Sequence, residues 1–310
     1  MKAIVLEPGT LSGHLKIKEI ADPVLQEDEV LIQVKAISIN PVDVKTSKQQ
    51  GVYRRIKDEE NIIPGWDISG VVTESNSILY KEGDEVFGMI NFPGHGQAYA
   101  EYVAAPASQL ALKPANIPHE EAAAATLAAL TAYQSIVKLA GVKAGQKVLI
   151  HAAAGGVGHF AVQIAKHFGA HVTGTSSARN RDFVLQLGAD EHIDYHTYAW
   201  DRPAGFDLIL DTIGGDNIDR SLQVAKTGSI LISIPSGLNE SVAEKAKAKG
   251  ISGYTFMVQS DGDDMNVIAG YLKDGIIKAH VSATFPFEDM DKAHEQVASG
   301  STVGKVVVTV

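Results

Sequence analysis

The residues best suited to chemistry lie in Val148-Leu149-Ile150-His151-Ala152-Ala153-Ala154-Gly155-Gly156-Val157-Gly158, an apolar strand pattern running into a glycine-rich turn and a predicted helix. In the register of G-x-G-x-x-G, Ala153, Gly155 and Gly158 take the three glycine positions, so alanine replaces the first. The middle glycine lets backbone approach a pyrophosphate. Amides opening the helix, helped by the positive end of its dipole, then bind the phosphates without a side chain. Ala154, Gly155, Gly156 and Val157 are the candidate contacts. The same glycines would serve a tight turn that packs a helix onto a sheet; the strand before, the helix after and a second strand at the right distance favour a dinucleotide.

The end of that second strand selects between nicotinamide cofactors, because NAD enzymes place an acid there on the ribose hydroxyls. This chain has Gly174-Thr175-Ser176-Ser177-Ala178-Arg179-Asn180-Arg181, which offers hydroxyls and guanidinium groups suited to a 2′-phosphate. NADP(H) is the expected cofactor. Asp182 lies close enough to disturb that argument, and the same segment would also suit a turn and helix cap with exposed arginines. Asp211-Thr212-Ile213-Gly214-Gly215 ends a third apolar strand pattern and is expected along the cofactor cleft. His192 and His196, near Asp190 and Asp194, read as an ordinary polar turn and strand rather than a metal site. Asp261-Gly262-Asp263-Asp264 lacks the rest of a calcium loop. No metal is expected.

The elements that must position these residues fall into two groups. Up to about residue 120 the chain shows short β-rich runs, 4–6, 15–20, 30–39, 68–73 and 99–105, punctuated by Pro64-Gly65 and Pro93-Gly94. Residues 54–60 mix charges and read as a solvated loop. Asn116-Ile117-Pro118-His119-Glu120-Glu121 opens a helix, and the apolar run Ala122 to Tyr133 reads as one buried helix. Beyond it, strand patterns at 148–151, 171–175, 206–211 and 229–234 alternate with helix-length segments, the signature of a doubly wound parallel sheet. A helix at 289–297 and the strand-like end Lys305 to Val310 follow. The fold class is α/β, with a β-rich domain over 1–120 and a Rossmann-type domain over 121–279.

Composition narrows the partners. With 310 residues, 45% apolar and 21% charged, the chain is an ordinary globular protein of about two domains. A formal net charge of -10 repels nucleic acid and anionic lipid, so a small molecule is the expected partner. The absence of cysteine excludes disulfides, thiolate nucleophiles and cysteine-ligated zinc. Charge and proline interrupt the start, Met1 to Pro8, too soon for a signal-peptide core, and no apolar run is long enough to span a bilayer; a cytoplasmic protein is expected.

Several segments together resemble the zinc-independent quinone oxidoreductase branch of the medium-chain dehydrogenase/reductase superfamily. They are Asn40-Pro41-Val42-Asp43, Pro64-Gly65-Trp66-Asp67-Ile68-Ser69-Gly70, Leu130-Thr131-Ala132-Tyr133, Ala152 to Gly158, Leu187-Gly188-Ala189-Asp190, Ile193-Asp194-Tyr195 and Gly304-Lys305-Val306-Val307. The resemblance implies a GroES-like catalytic domain, completed by 280–310, with the active site between the domains. Where zinc-dependent relatives carry cysteine, histidine with an acid, and cysteine, this chain has Asn40, Trp66-Asp67 and Leu127. It implies Asn40 and Tyr53 in the nicotinamide pocket, Tyr53 as a candidate proton donor, and Thr131 against the cofactor. Ser176, Asn180 and Tyr195 would lie at the adenosine phosphate end, with Asn180 departing from the lysine often found there. Asn40 before Pro41 also suits a plain turn, and Tyr53 and Thr131 also suit simple packing. The implied reaction is hydride transfer from NADPH to a quinone or enone, in a homodimer or a dimer of dimers. An enoyl-thioester reductase, or an NADPH-binding redox sensor with little turnover, are the alternatives.

Overall fold

A computed structural model describes residues 1–7, 14–201 and 204–310, so Pro8 lies outside the described residues. The chain divides into two units, Met1–Leu130 with Gln259–Val310, and Thr131–Val258. The first begins with β1 (Lys2–Leu6) and β2 (Leu15–Glu19), an antiparallel pair. β3 (Glu29–Ile39), β4 (Asp67–Ser75), β5 (Glu85–Met89), β6 (Tyr102–Pro106) and β7 (Leu110–Leu112) follow. Val30, Ile32 and Val34 alternate inward along β3, the period of a half-buried strand, and pack with Ile68, Val86 and Val103. The 54–60 loop reading needs correction: Tyr53–Ile56 is a short helix. Its Ile56 is buried with Ile62 and with Leu6, from a distant chain segment, contacts that local charge does not reveal.

The second unit carries β8 (Lys147–Ile150), β9 (His171–Ser176), β10 (Glu191–Asp194), β11 (Phe206–Asp211), β12 (Ala225–Ser233) and β13 (Ser252–Thr255). They form one parallel sheet in the order β10-β9-β8-β11-β12-β13. The order reverses beside β8, the first strand, which is where open α/β sheets bind ligands at their carboxyl ends. Leu149, Ile209 and Leu231 are fully buried, consistent with a sheet covered on both faces.

The chain then returns to the first unit through β14 (Val281–Pro286) and β15 (Lys305–Thr309). β15 pairs antiparallel with the second half of β3, while β6 pairs with its first half; the sheet runs β14-β15-β3-β4-β5-β7. The unit boundaries at 130/131 and 258/259 differ from those read at 120/121 and 279/280. Helix His119–Ala124 packs on β3 and β4, with Ala123 and Ala124 small enough to lie against Ala36 and Val307. Helix Gly262–Lys273 packs on β7. The run Ala122 to Tyr133 is two helices, interrupted at Ala125–Thr126, where the Thr126 hydroxyl donates to the Ala123 carbonyl. Among the described residues no helix is long and apolar enough to cross a membrane.

Candidate active site

Sheet register brings three polar residues together in the first unit. Ser38 pairs with Asp67 across β3 and β4, and Ile39 pairs with Val306 across β3 and β15. Asn40, Asp67 and Lys305 therefore meet at one end of the sheet, 2%, 0% and 3% exposed. Lys305 Nζ donates to Asn40 Oδ1 and, at 3.2 Å, to the Ile39 carbonyl, with Asp67 Oδ2 3.9 Å away. Asn40 Nδ2 donates to Asp67 Oδ2 at 2.7 Å, and Leu127 N–H donates to Asp67 Oδ1 at 3.1 Å. Both ends of the Asn40 amide are thus fixed, one by a cation and one by an anion.

Asn40 also caps helix Pro41–Ser47, its N–H donating to Asp43 Oδ2 at 2.6 Å. Burial, then the neighbouring Asp67 carboxylate, raises Asp43 well above the ordinary carboxylate range. Burial also raises Asp67 and lowers Lys305, and each opposes the other's shift through their attraction. Tyr99 lies against Asp43 and bonds His294 Nε2 at 2.9 Å; burial pushes His294 down to about 4. Sequence reasoning missed Asp43, Tyr99, His294 and the role of Lys305. The single usable signal was a lysine leading the apolar run 306–308. Tyr53 opens its short helix, half-buried against the Leu6–Ile56–Ile62 cluster. Thr131 is buried in helix Leu127–Tyr133, its carbonyl accepting from Ser135 Oγ at 2.6 Å.

In the second unit the glycine-rich turn joins β8 to helix Gly156–His167. Ala152 carries the left-handed conformation there (φ 46°). A Cβ on Gly158 would lie 2.2 Å from the Ala152 carbonyl oxygen, so helix and turn pack too closely for any side chain. Gly155 has extended backbone, and a Cβ there would lie 3.2 Å from the Ala152 carbonyl oxygen and 4.0 Å from the Ala152 Cβ, a far looser fit than at Gly158. Gly155, Gly156 and Val157 are half-exposed and Ala154 is buried; the Gly155 N–H donates to the Ala152 carbonyl at 2.8 Å, and the helix amides that follow, from Gly156 on, have no capping side chain. These features fit a dinucleotide's phosphates.

Two buried side chains hold this edge in shape. Asp211 accepts from Ile213 N–H, Gly214 N–H, Asn217 Nδ2 and Ser233 Oγ, all within 3.1 Å. The loop it shapes leaves Ile213 43% exposed. His151 contacts Thr175 Oγ1 at 3.2 Å and Ser221 Oγ at 3.0 Å, and burial pushes it down to about 4, so it is a neutral structural link. At the end of β9, Ser176 is buried and Ser177 and Asn180 are half-buried, while Arg179 and Tyr195 are exposed. Arg181 pairs with the neighbouring Asp182 at 3.4 Å on an open surface, where such a pair is weak.

Comparison with known proteins agrees with this geometry. Residues 26–115 match the alcohol dehydrogenase GroES-like domain, and residues 187–308 match a model described as zinc-binding dehydrogenase. An NADPH-dependent alkenal/one oxidoreductase of Arabidopsis thaliana is 34% identical, over 93% of this chain and 74% of that protein. The human quinone oxidoreductase is 30% identical, over 95% and 93%. The solved quinone oxidoreductase of Coxiella burnetii superposes with a TM-score of 0.93 at 33% identity, over 100% of this chain and 99% of that one. The chain belongs to the quinone and alkenal oxidoreductases of the medium-chain dehydrogenase/reductase superfamily.

A zinc ion does not fit this oxidoreductase at the place its zinc-dependent relatives use. The Asn40 carbonyl oxygen and the Asp67 carboxylate already face an ammonium, and Leu127 offers no donor side chain. A divalent cation there would have to displace a buried lysine carried by β15. Among the described residues no other group of three histidine or acidic side chains could hold a metal.

Proposed function

We propose that this oxidoreductase uses NADPH to reduce quinones or α,β-unsaturated carbonyl compounds without a metal ion. The observation that carries the reading is Lys305, whose ammonium lies against Asn40 and Asp67 and consumes the acceptors a metal would need. Reduction of a simple ketone leaves a localised alkoxide that calls for a Lewis acid or strong proton donor. Reduction of an enone or quinone leaves delocalised charge that hydrogen bonds can hold. The dinucleotide, when bound, supplies the hydride.

The chain's own residues supply position. The amides of Gly156 and Val157, beside Ala154 and Gly155, receive the phosphates, and the Ile213 loop offers an exposed apolar contact. Ser176, Ser177, Arg179, Asn180 and Tyr195 serve the 2′-phosphate end, and Thr131 lies close to the nicotinamide end. Asn40, immobilised by Lys305 and Asp67, sets one wall of the acceptor site, while the Tyr53 hydroxyl donates a hydrogen bond or proton to the acceptor oxygen. The assembly in this reading is a homodimer, which light scattering measures directly, and its setting is the cytoplasm.

The test is oxidation of NADPH, followed at the absorbance of the reduced nicotinamide, with 1,4-benzoquinone, 9,10-phenanthrenequinone or a short enone, in the presence of EDTA. Turnover that survives EDTA is expected. Loss of turnover with the chelator, restored by zinc, would overturn the metal-free reading. Gly155→Val should abolish cofactor binding, because its branched side chain blocks the approach of backbone to the pyrophosphate; retained affinity would remove the glycine turn from the site.

A further inference from the structure

β10 is an edge strand of the parallel sheet, and its register sets Asp194 opposite Ser176 and His192 opposite Gly174. From that position the half-buried His192 reaches the end of β9, placing Nε2 2.7 Å from Ser176 Oγ. Ser176 Oγ donates in turn to the Ser177 carbonyl at 3.1 Å. The 2.7 Å contact holds the imidazole beside the Ser176 hydroxyl, a rotor that can turn to another partner, at the segment assigned above to the 2′-phosphate. Arg181, at the start of helix Arg181–Gln186, acts on the same imidazole through its charge.

We propose that His192 is a specificity-determining residue, which joins Ser176 in binding the cofactor's 2′-phosphate and makes the preference for phosphorylated over unphosphorylated dinucleotide rise as pH falls. This rests on the NADPH reading above. Asn180 supplies no charge in this segment, and Arg181 is partly engaged by Asp182, so a histidine that takes up a proton on binding the phosphate adds a second cation to that of Arg179. The charged groups that act on the ring are Arg181 from the helix Arg181–Gln186 and Asp194 on its own strand. Asp194 and Asp201 also line, with His192 and Tyr198, a cavity of about 520 Å³ that gives access to the ring. Burial holds the imidazole below its ordinary value, with Asp194 opposing and Arg181 reinforcing, so the ring is mostly neutral until an anion arrives.

The experiment is titration of the full chain with NADP+ and NAD+, both stable in mild acid, by calorimetry between pH 6.5 and 8.5, which stays above the second ionisation of a phosphate monoester. In the unsubstituted protein the ratio of NAD+ to NADP+ dissociation constants is expected to rise about tenfold from pH 8.5 to 6.5, the worth of one charge-assisted hydrogen bond. His192→Gln, which keeps a donor without the charge, should flatten that slope. His192→Lys, charged throughout, should hold the ratio high at pH 8.5. A His192→Gln protein with the original ratio and slope overturns the inference while leaving NADPH as cofactor. Equal affinity of the unsubstituted protein for NADP+ and NAD+ at every pH overturns the NADPH reading and this inference with it.

Discussion

Asp67 and Asp211 are both buried aspartates at the end of a strand, one in each unit, and both take amide donors, yet only the first has a cation beside it. Asp67 is held by the Asn40 amide, the Leu127 N–H and a full positive charge on Lys305. Asp211 takes two backbone amides, an Asn217 amide and a Ser233 hydroxyl, with no cation in its hydrogen-bonded set. The first arrangement balances charge around one side chain, Asn40, and closes the place to a metal. The second uses a carboxylate to bend backbone, so that the loop holding Ile213 stands open. A buried charge therefore immobilises a side chain in one unit and shapes a loop in the other.

The largest effect should come from breaking the charge-balanced cluster. Lys305→Met leaves Asp67 buried without its cation and is expected to cost about 3–5 kcal/mol in urea denaturation. Adding Asp67→Asn should recover part of that loss, because no isolated charge remains. A Lys305→Met protein as stable as the parent would show that the ammonium is not what holds the cluster.

Next in size is Asp211→Asn, which removes the charge but keeps one acceptor oxygen. A loss of about 2–3 kcal/mol is expected, with faster hydrogen exchange at the Ile213 and Gly214 amides. Unchanged exchange at those two amides would mean that the loop holds its shape without the carboxylate.

The smallest effect appears with acid, and it touches both regions through one buried histidine each, His294 and His151. Both are held neutral, at about 4, below the ordinary histidine value of 6.5. Between those two values the unfolded chain binds more protons than the folded one, so stability is complete above pH 6.5 and falls as pH drops toward 4. At pH 5 each histidine is expected to cost about 2 kcal/mol relative to pH 7. His294→Gln should flatten this slope by the contribution of the first unit alone, measured by urea denaturation at both pH values; a slope unchanged by it would assign the acid sensitivity elsewhere.

The parts of the fold that were legible have strong local period. The apolar cores of β8 and β11, and the alternation along β3, are visible in the residues themselves. β5 and β7 were not read, because Glu85–Met89 is short with a glycine inside and Leu110–Leu112 has three residues; both are strands because they pair across the sheet. Tyr53–Ile56 looked like part of a charged loop, since the burial of Ile56 depends on Leu6 and Ile62. Thr126 interrupts the alanine-rich helix through a local hydroxyl bond that composition does not announce.

For the site, residue types and spacing along the chain were enough to point to a nucleotide at Ala154 to Val157 and to show that the cysteines of a zinc site are absent. They carry this because a glycine turn is local chemistry and a missing residue type is a plain fact of composition. That Lys305 stands against Asn40, 265 positions earlier, was decided only by the tertiary structure. So were His192 behind Ser176 and the four donors around Asp211. Such pairings depend on strand order and register, which emerge from the packing of the whole core and leave no period in the sequence to read.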